Sequence, residues 1–366
     1  MTGRRALRVL LATGERVHGG AESFTVRVAG SLAERGHHVS CAGRTGSWIE
    51  RAVAGTGVPF LPVAPRGSVS FVAAIRLARR LRTGQFELIH AHKAKEYMPV
   101  VIAARLAGCK VVLSRHDLFP MSQYAALAAS HADRILAVSN IVRDALLATT
   151  HLPGDLVHTL YPGIKLDGYR PLDGARQALP TLNILPESPV IGMVNRLVSA
   201  KRIDTFIRAA ALVKETHPRV RFLVVGDGPE RQALQDLANS LGLSDGLQLT
   251  GFVDDSVALL REFDAFVAGG ESEAFSYSIQ EAMACKIPVI AAQGGGNLEA
   301  ISDGQTGVFF TPRDERSLAN AMRRILDRPE DAQEMGIAGR KRVEVSFTLD
   351  GMLDRLEEVY YNLLER

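Results

Sequence analysis

Glu273-Ala-Phe-Ser-Tyr-Ser-Ile-Gln-Glu281-Ala-Met-Ala284 sets two carboxylates eight positions apart around a small, hydroxyl-rich turn in which a helix begins. Phe263-Asp-Ala-Phe-Val-Ala268 before it and Pro288-Val-Ile-Ala-Ala292 after it read as short buried strands. The carboxylates then fall at the carboxyl edge of a parallel sheet, where open α/β folds bind ligands. The helix start offers unpaired backbone N–H groups that suit a phosphate. The carboxylates accept hydrogen bonds from hydroxyls. A ligand with both phosphates and many hydroxyls, a nucleotide sugar, fits the stretch.

Working outward through the second half, Val190–Val194, Arg221–Val225, Gln248–Leu249, Ala265–Ala268, Val289–Ala292 and Gly307–Phe309 read as strands, and Glu315–Leu326 and Met352–Leu364 as helices. The first half repeats the alternation. Arg8–Ala12, His37–Ala42, Phe60–Val63, Leu88–Ala91, Lys110–Leu113 and Arg134–Val138 read as strands, and Phe24, Val28 and Leu32 mark a helix that ends at Gly36. Such alternation specifies an α/β protein with parallel, doubly wound sheets. The pattern breaks around Tyr161-Pro-Gly-Ile164 and Pro171. The expected domains are therefore two Rossmann-like halves, residues 1–168 and 169–345, with a terminal helical segment, 346–366.

A chain of 366 residues suits two cores better than one. Its cysteines, Cys41, Cys109 and Cys285, are odd in number and lack CxxC spacing, which argues for a reducing compartment and against a zinc site or disulfide framework. The apolar runs are strand-sized, short of a membrane span. Leu7–Ala12, behind the basic Met1–Arg5, is too short for the core of a signal peptide, so a cytoplasmic location is expected. The net charge of +3 is unevenly divided: residues 1–165 carry 21 Lys/Arg against 10 Asp/Glu, and the remainder 22 against 30. A basic first half points to an anionic partner such as acidic lipid, polyanionic glycan or nucleic acid; the bland alternative is scattered solvated charge. Ser70–Arg82 adds a basic amphipathic helix, with Phe71, Ile75 and Ala78 on one face and Arg76, Arg79 and Arg80 on another. Such a helix packs on its own sheet or lies against an anionic membrane, at the inner face of the plasma membrane.

Several smaller groups sit at strand ends. Arg196 leaves the first strand of the second half and Lys201 follows one loop later. Two fixed cations there can neutralise a diphosphate through charge-assisted hydrogen bonds. Gly226-Asp227-Gly228-Pro229 resembles a dinucleotide fingerprint but lacks its third glycine, and reads as a structural turn that also touches the nucleotide. Gly251-Phe252-Val253 can present backbone groups to a base or simply leave the strand. Gly294-Gly-Gly296 permits close approach to a ligand or serves turn chemistry. Gly19-Gly20 permits backbone approach to a phosphate, with Glu22 in the first helical turn. His116-Asp117 places a histidine beside a carboxylate, a pair able to exchange protons near neutral pH. His90 and His92 point to one face of their strand and compete for that role, but no third metal ligand at a suitable spacing is evident. Asp254-Asp255 reads as a helix cap. The loops Thr45–Trp48, Lys93–Met98 and Phe119–Tyr124 match nothing specific.

Taken together, Gly19-Gly20-Ala21-Glu22, Arg196-Leu…Lys201, Gly226-Asp227-Gly228-Pro229, Gly251-Phe252 and Glu273…Glu281-Ala-Met-Ala resemble the retaining glycosyltransferases of family 4, of bacterial envelope and polysaccharide type, over nearly the whole chain. The resemblance implies the GT-B fold, two Rossmann-like domains with parallel sheets facing a central cleft, and a last helix that crosses back to the first domain. It implies a nucleotide-diphosphate sugar as donor, held by Gly19, Gly20, Arg196, Lys201, Gly228, Phe252, Val253, Ala274, Phe275, Ser276, Tyr277, Ser278 and Glu281, with His116 and Glu273 at the reacting sugar. Arg196 and Lys201 would take the diphosphate and Glu281 the ribose hydroxyls. No cofactor, metal or nucleic acid is implied; the acceptor would be a glycan or glycolipid. The family usually has glycines where this chain has Ala274 and Ser276, and often where it has Arg202. The sugar and base are left open. So are an epimerase of the same fold, a non-catalytic sugar-nucleotide binder and, from the partial fingerprint alone, an NAD-dependent dehydrogenase.

Overall fold

A computed structural model describes residues 4–15, 19–63 and 70–365, so Met1–Gly3 of the basic start lie outside it. Met1–Pro162 with Asp350–Arg366 make one compact unit and Gly163–Leu349 the other. The first unit holds β1 (Arg8–Ala12), β2 (His38–Ala42), β3 (Phe60–Leu61), β4 (Leu88–Ala91), β5 (Lys110–Arg115), β6 (Arg134–Ala137) and β7 (Val157–Thr159), in the order β3-β2-β1-β4-β5-β6-β7. The second holds β8 (Val190–Val194), β9 (Arg221–Val225), β10 (Leu247–Gly251), β11 (Ala265–Ala268), β12 (Val289–Ala292) and β13 (Gly307–Phe310), in the order β10-β9-β8-β11-β12-β13. Every pair is parallel. Two doubly wound α/β halves are thus present, as the alternation specifies. β7 is an addition, a short strand just before Tyr161, where the strand–helix alternation breaks.

The central strands read as unbroken apolar runs because helices cover both faces. All residues of β4, β11 and β12 are buried. In the second unit Phe206, Ile207, Leu318, Met322 and Ile325 close over Phe222, Val224 and Ile290. Burying one such side chain contributes roughly 1.5–3 kcal/mol. In each sheet the strand order reverses once, between β1 and β4 and between β8 and β11.

The longest helix of the second unit, Pro329–Ser346, carries no apolar stripe to announce it. Its buried residues are Ala332, Met335, Gly336, Gly339 and Val343. Glycine is a poor helix former, but a Cβ at Gly336 would lie 2.0 Å from the Lys286 carbonyl oxygen and one at Gly339 would lie 3.3 Å from Met283. Close approach to the end of the helix Tyr277–Ala284 therefore requires the small residues.

The basic amphipathic helix forms over Phe71–Thr83, capped by the Ser70 hydroxyl. Its apolar face differs from the one read above. Ala74, Leu77, Ala78 and Leu81 are buried, whereas Phe71, Val72 and Ile75 stand out at 62%, 61% and 47% exposure. The three lie in the first turns on a face rotated away from the stripe Ala74, Leu77, Ala78 and Leu81 that packs. The last helix, Leu349–Leu364, enters the first unit from Asp350 on. Arg35 reaches Asp350, Asp354 and Glu357 on it at 2.9, 2.6 and 3.1 Å.

Candidate functional site

The carboxyl edge of the second sheet, where β8 and β11 part, gathers the residues singled out in this half. After β8, the Asn195 amide bonds to the Val225 oxygen at 2.9 Å and the Leu197 amide to the Asp227 oxygen at 3.0 Å. These bonds lay the segment against the Gly226-Asp227-Gly228 turn. A Cβ at Gly226 would lie 2.0 Å from the Asn195 oxygen and one at Gly228 2.3 Å from the Leu197 oxygen, so both glycines serve this packing. Leu197 is buried; Arg196 beside it is exposed, and its guanidinium has no partner among the described residues.

Lys201 ends a tight turn, and Arg202 follows with φ +52°, the left-handed region that favours glycine. That backbone explains why a glycine commonly stands at Arg202 in the family resembled above. Lys201 Nζ lies 2.5 Å from Glu273 Oε1. Two glycines after β11 make the approach possible: a Cβ at Gly269 would meet the Lys201 oxygen at 2.6 Å, and one at Gly270 would meet Glu273 Oε1 at 2.5 Å.

The Gly294-Gly-Gly296 loop supports the Glu271–Phe275 segment from behind. Positions for Cβ atoms on the three glycines fall 2.6, 2.4 and 2.2 Å from the oxygens of Glu271, Glu273 and Ala274. The Gly296 amide donates to the Glu273 oxygen at 2.7 Å. Asn297, fully buried, donates through Nδ2 to the oxygens of Gly270 and Ala292, both at 2.9 Å, and ties the ends of β11 and β12 together. The Phe275 ring turns inward onto Phe347, 5.2 Å between centroids. Only its backbone can serve the site. The helix Tyr277–Ala284 starts after Ser276, whose hydroxyl makes no cap but contacts that of Ser278 at 3.1 Å. Glu281, one face along, accepts from the Tyr169 hydroxyl at 2.8 Å. Arg340 binds the Tyr169 and Ala284 oxygens at 2.8 and 2.7 Å.

Gly251 has φ +81°, and Phe252 beyond it is 76% exposed, with Val253 half-buried. Beneath them Arg231 donates to the Leu249 oxygen at 2.9 Å and keeps a buried Nη1 without a hydrogen-bond partner. Tyr169, Asn297 and Arg231 were not legible as site residues. Tyr169 lies in the segment where periodicity breaks, and single Asn and Arg residues carry no spacing signal. Asp255 is a cap, accepting from the Ala258 amide at 3.0 Å.

Gly19, Gly20 and His116 belong to the first unit, at the edge where β1 and β4 part. Gly19 is extended and precedes the helix Gly20–Glu34; a Cβ at Gly20 would meet nothing within 4 Å. Glu22 is buried and its Oε1 stands 3.3 Å from Lys93 Nζ. His92 Nδ1 is 3.3 Å from His116 Nε2, and both rings pack on Phe24, 5.6 and 5.1 Å between centroids. His90 stacks on His92 at 4.3 Å and is bound by Tyr360 and Ser114, each at 2.7 Å.

The proton exchange near neutral pH read from His116-Asp117 is corrected here. Asp117 pairs with Arg115 at 2.7 Å. Burial, then the neighbouring charges of Lys93 and Arg115, hold the His116 imidazole well below its usual range. Burial does the same to His92, and pushes the Glu96 carboxyl up to about 8. At neutral pH all three are uncharged. Among the described residues no group of three or more His, Cys, Asp or Glu could hold a metal ion, and no helix is long and apolar enough to cross a membrane.

Known proteins resemble this arrangement. The family described as Glycosyltransferase Family 4 matches residues 18–167, and that described as Glycosyl transferases group 1 matches residues 177–342. A D-inositol 3-phosphate glycosyltransferase of Thermobifida fusca is 28% identical over 92% of this chain and 87% of its own. A GDP-mannose-dependent alpha-(1-6)-phosphatidylinositol monomannoside mannosyltransferase of Mycolicibacterium smegmatis is 29% identical over 65% of this chain and 66% of its own. The solved structure of Anabaena HepE in complex with UDP superposes with a TM-score of 0.89 at 20% identity, covering 97% of this chain and 100% of that one. At that identity the likeness speaks for the fold.

Proposed function

Because the chain belongs to the family 4 glycosyltransferases of the GT-B fold, we propose that it moves a sugar from a nucleotide-diphosphate donor to a hydroxyl of a glycan or glycolipid with retention of anomeric configuration, and without a metal. The observation that carries the donor reading is the second sheet's edge. There Lys201 meets Glu273, Arg196 stands exposed, and Glu281 faces Tyr169 on the helix that begins at Tyr277. Departure of the sugar leaves negative charge on the diphosphate. Fixed cations and a helix N-terminus stabilise charge that develops in the transition state. Arg196, Lys201 and the backbone of Phe275–Ser278 would do so here, in place of a metal. Glu281 would hold the ribose hydroxyls and Glu273 the transferred sugar. The C1–O bond to the diphosphate breaks, a C1–O bond to the acceptor forms on the same face, and the acceptor's proton passes to a diphosphate oxygen. His116, held neutral, would bond a hydroxyl of the reacting sugar and carry no charge of its own. Ala274 and Ser276 carry Cβ atoms in this stretch, which would narrow the choice of sugar.

The acceptor reading draws on the basic first half and on Phe71, Val72 and Ile75, exposed beside Arg76 and Arg79. Apolar side chains ringed by cations suit an anionic lipid surface, at the inner face of the plasma membrane. One named relative acts on an inositol phosphate and another on a phosphatidylinositol mannoside. A thermal-shift screen over UDP-, GDP- and ADP-sugars tests the donor, since a ligand of the native state raises its melting temperature. The matching sugar nucleotide should raise Tm by several degrees. No shift with any of them, together with no hydrolysis or transfer, would refute the reading.

A further inference from the structure

A cavity of about 510 Å³ opens at the amino edge of the first sheet, lined by Arg8, His37, His38 and Arg80 and by no Asp or Glu. Its volume is that of a small-molecule site. Arg8 and His38 start β1 and β2 and are direct partners in the parallel register, so they stand side by side. Arg80 joins them from the last turn of the helix Phe71–Thr83, and Ser40 from the middle of β2. Among the described residues, the side chains of Arg8, His38 and Arg80 make no ion pair or hydrogen bond. The nearby Glu87 is already engaged: it pairs with Arg5 at 2.6 Å and accepts from the Arg8 amide at 3.0 Å. His37 is a fixed wall, since its Nδ1 accepts from the Leu7 amide at 3.1 Å and its Nε2 lies 3.1 Å from Glu357. Leu61 and Phe86 add apolar surface. A Cβ at Gly84 would fall 2.3 Å from the Phe86 ring, so the glycine lets that ring lie against the helix end.

We infer that this cavity binds a small, soluble organic phosphate, with the phosphate held by Arg8, His38 and Arg80 and the apolar part laid against Leu61 and Phe86. A guanidinium presents a planar fork of donors that matches phosphate oxygens. The Ser40 hydroxyl supplies a further donor. A cleft lined by one sign of charge concentrates ions of the other sign. The apolar wall favours an organic phosphate over the bare ion. The site is separate from the candidate reaction site: β1 is 5 residues long, which sets the two edges of the sheet about 16 Å apart. It is also separate from the exposed Phe71, Val72 and Ile75, because they begin the helix whose far end carries Arg80, and its 13 residues span about 20 Å. Binding here goes beyond the proposed transfer and does not depend on it.

The test titrates the full chain with phenyl phosphate at about 0.15 M salt, followed by ligand-observed NMR, with UDP present to occupy the second sheet's edge. Inorganic phosphate and benzyl alcohol serve as partial probes. Phenyl phosphate should bind more tightly than either. Arg8→Gln and Arg80→Gln, both at exposed positions, should each weaken it roughly tenfold, the loss of one charge-assisted hydrogen bond. Arg51→Gln, which removes an exposed cation outside the cavity, should bind it as the parent does. Phenyl phosphate that fails to bind at millimolar concentration, or binds Arg8→Gln and Arg80→Gln as tightly as the parent, would overturn the site. Vesicles of phosphatidic acid that sediment the parent but not Arg8→Gln would assign the cavity to a lipid headgroup and overturn the soluble ligand; equal sedimentation of the two supports it. Failure here leaves the glycosyltransfer reading to its own test with nucleotide sugars, because no residue of the second sheet's edge takes part.

Discussion

At the carboxyl edge of the second sheet the ionisable groups keep contact with water: Lys201 and Glu273 are 27% and 21% exposed in their side chains, and Arg196 is more open still. At the matching edge of the first sheet, His90, His92 and Glu96 are shut away and held uncharged. The same topology therefore serves two kinds of chemistry. An exposed cation keeps its charge and can answer a diphosphate. A buried histidine or carboxyl gives up its charge and becomes a directional partner for hydroxyls.

The contrast breaks most sharply at Lys201 and Glu281. Lys201→Ala or Glu281→Ala should lower kcat/KM for the donor by about a hundredfold or more, on the order of 3 kcal/mol, the loss expected when one charge-stabilising group is removed. Steady-state kinetics with the sugar nucleotide that shifts Tm measures this; parent-like kinetics in both variants would remove the donor assignment. Gly226→Ala should lower stability by roughly 2–4 kcal/mol, because its φ of +133° is strained for alanine and the new Cβ meets the Asn195 oxygen. Urea unfolding reads this. A loss of donor affinity without a loss of stability would show instead that the turn acts on the nucleotide.

A third test separates the two edges by pH. Burial raises the Glu96 pKa from 4.5 to about 8, against the lowering effects of the Gly14 amide, Lys95 and Lys93. Between those values the fold holds a proton that the unfolded chain has released, so stability falls as pH rises from about 4.5 to 8. Burial lowers His90 from 6.5 to about 3. Between those values the unfolded chain binds a proton the fold refuses, so this contribution grows with pH and is complete above 6.5. From pH 6.5 to 8, of these two groups only Glu96 acts. Parent protein should lose Tm over that window and Glu96→Gln should lose less; identical slopes would contradict a protonated Glu96. The smallest effect is expected at the membrane: Arg76→Gln should reduce partitioning onto anionic vesicles, read by sedimentation, about fivefold at low salt, at about 1 kcal/mol for the one charge removed. Equal sedimentation would detach the helix Phe71–Thr83 from lipid binding.

Much of the second edge could be read before the structure. Arg196, Lys201, Glu273 and Glu281 follow strands whose apolar runs are unambiguous, and strand ends are where a parallel sheet presents side chains. What could not be read depends on long-range partners. Tyr169 matters because it meets Glu281, 112 residues away. The helix Pro329–Ser346 hides its packing face in Ala332, Gly336 and Gly339, which a hydrophobic period does not count. Phe71 and Ile75 fit an inward stripe with Ala78 by spacing, yet the face that is buried is the neighbouring one, Ala74, Leu77, Ala78 and Leu81, and a choice between adjacent faces depends on what packs against them. The burial of His116, with the charges of Lys93 and Arg115 beside it, likewise overrides the protonation that adjacency to Asp117 suggests, since neither burial nor those neighbours show in a two-residue motif.

The three glycines at 294–296 leave no slack against Glu271–Phe275, with oxygens within 2.2–2.6 Å of every added Cβ position. Those two loops are in effect one part cast in two pieces. Anyone grafting donor preference from a relative would need to move both together, since a new residue at Ala274 or Ser276 inherits its position from a loop some twenty residues downstream. Selection on either loop should thus leave paired changes in the other.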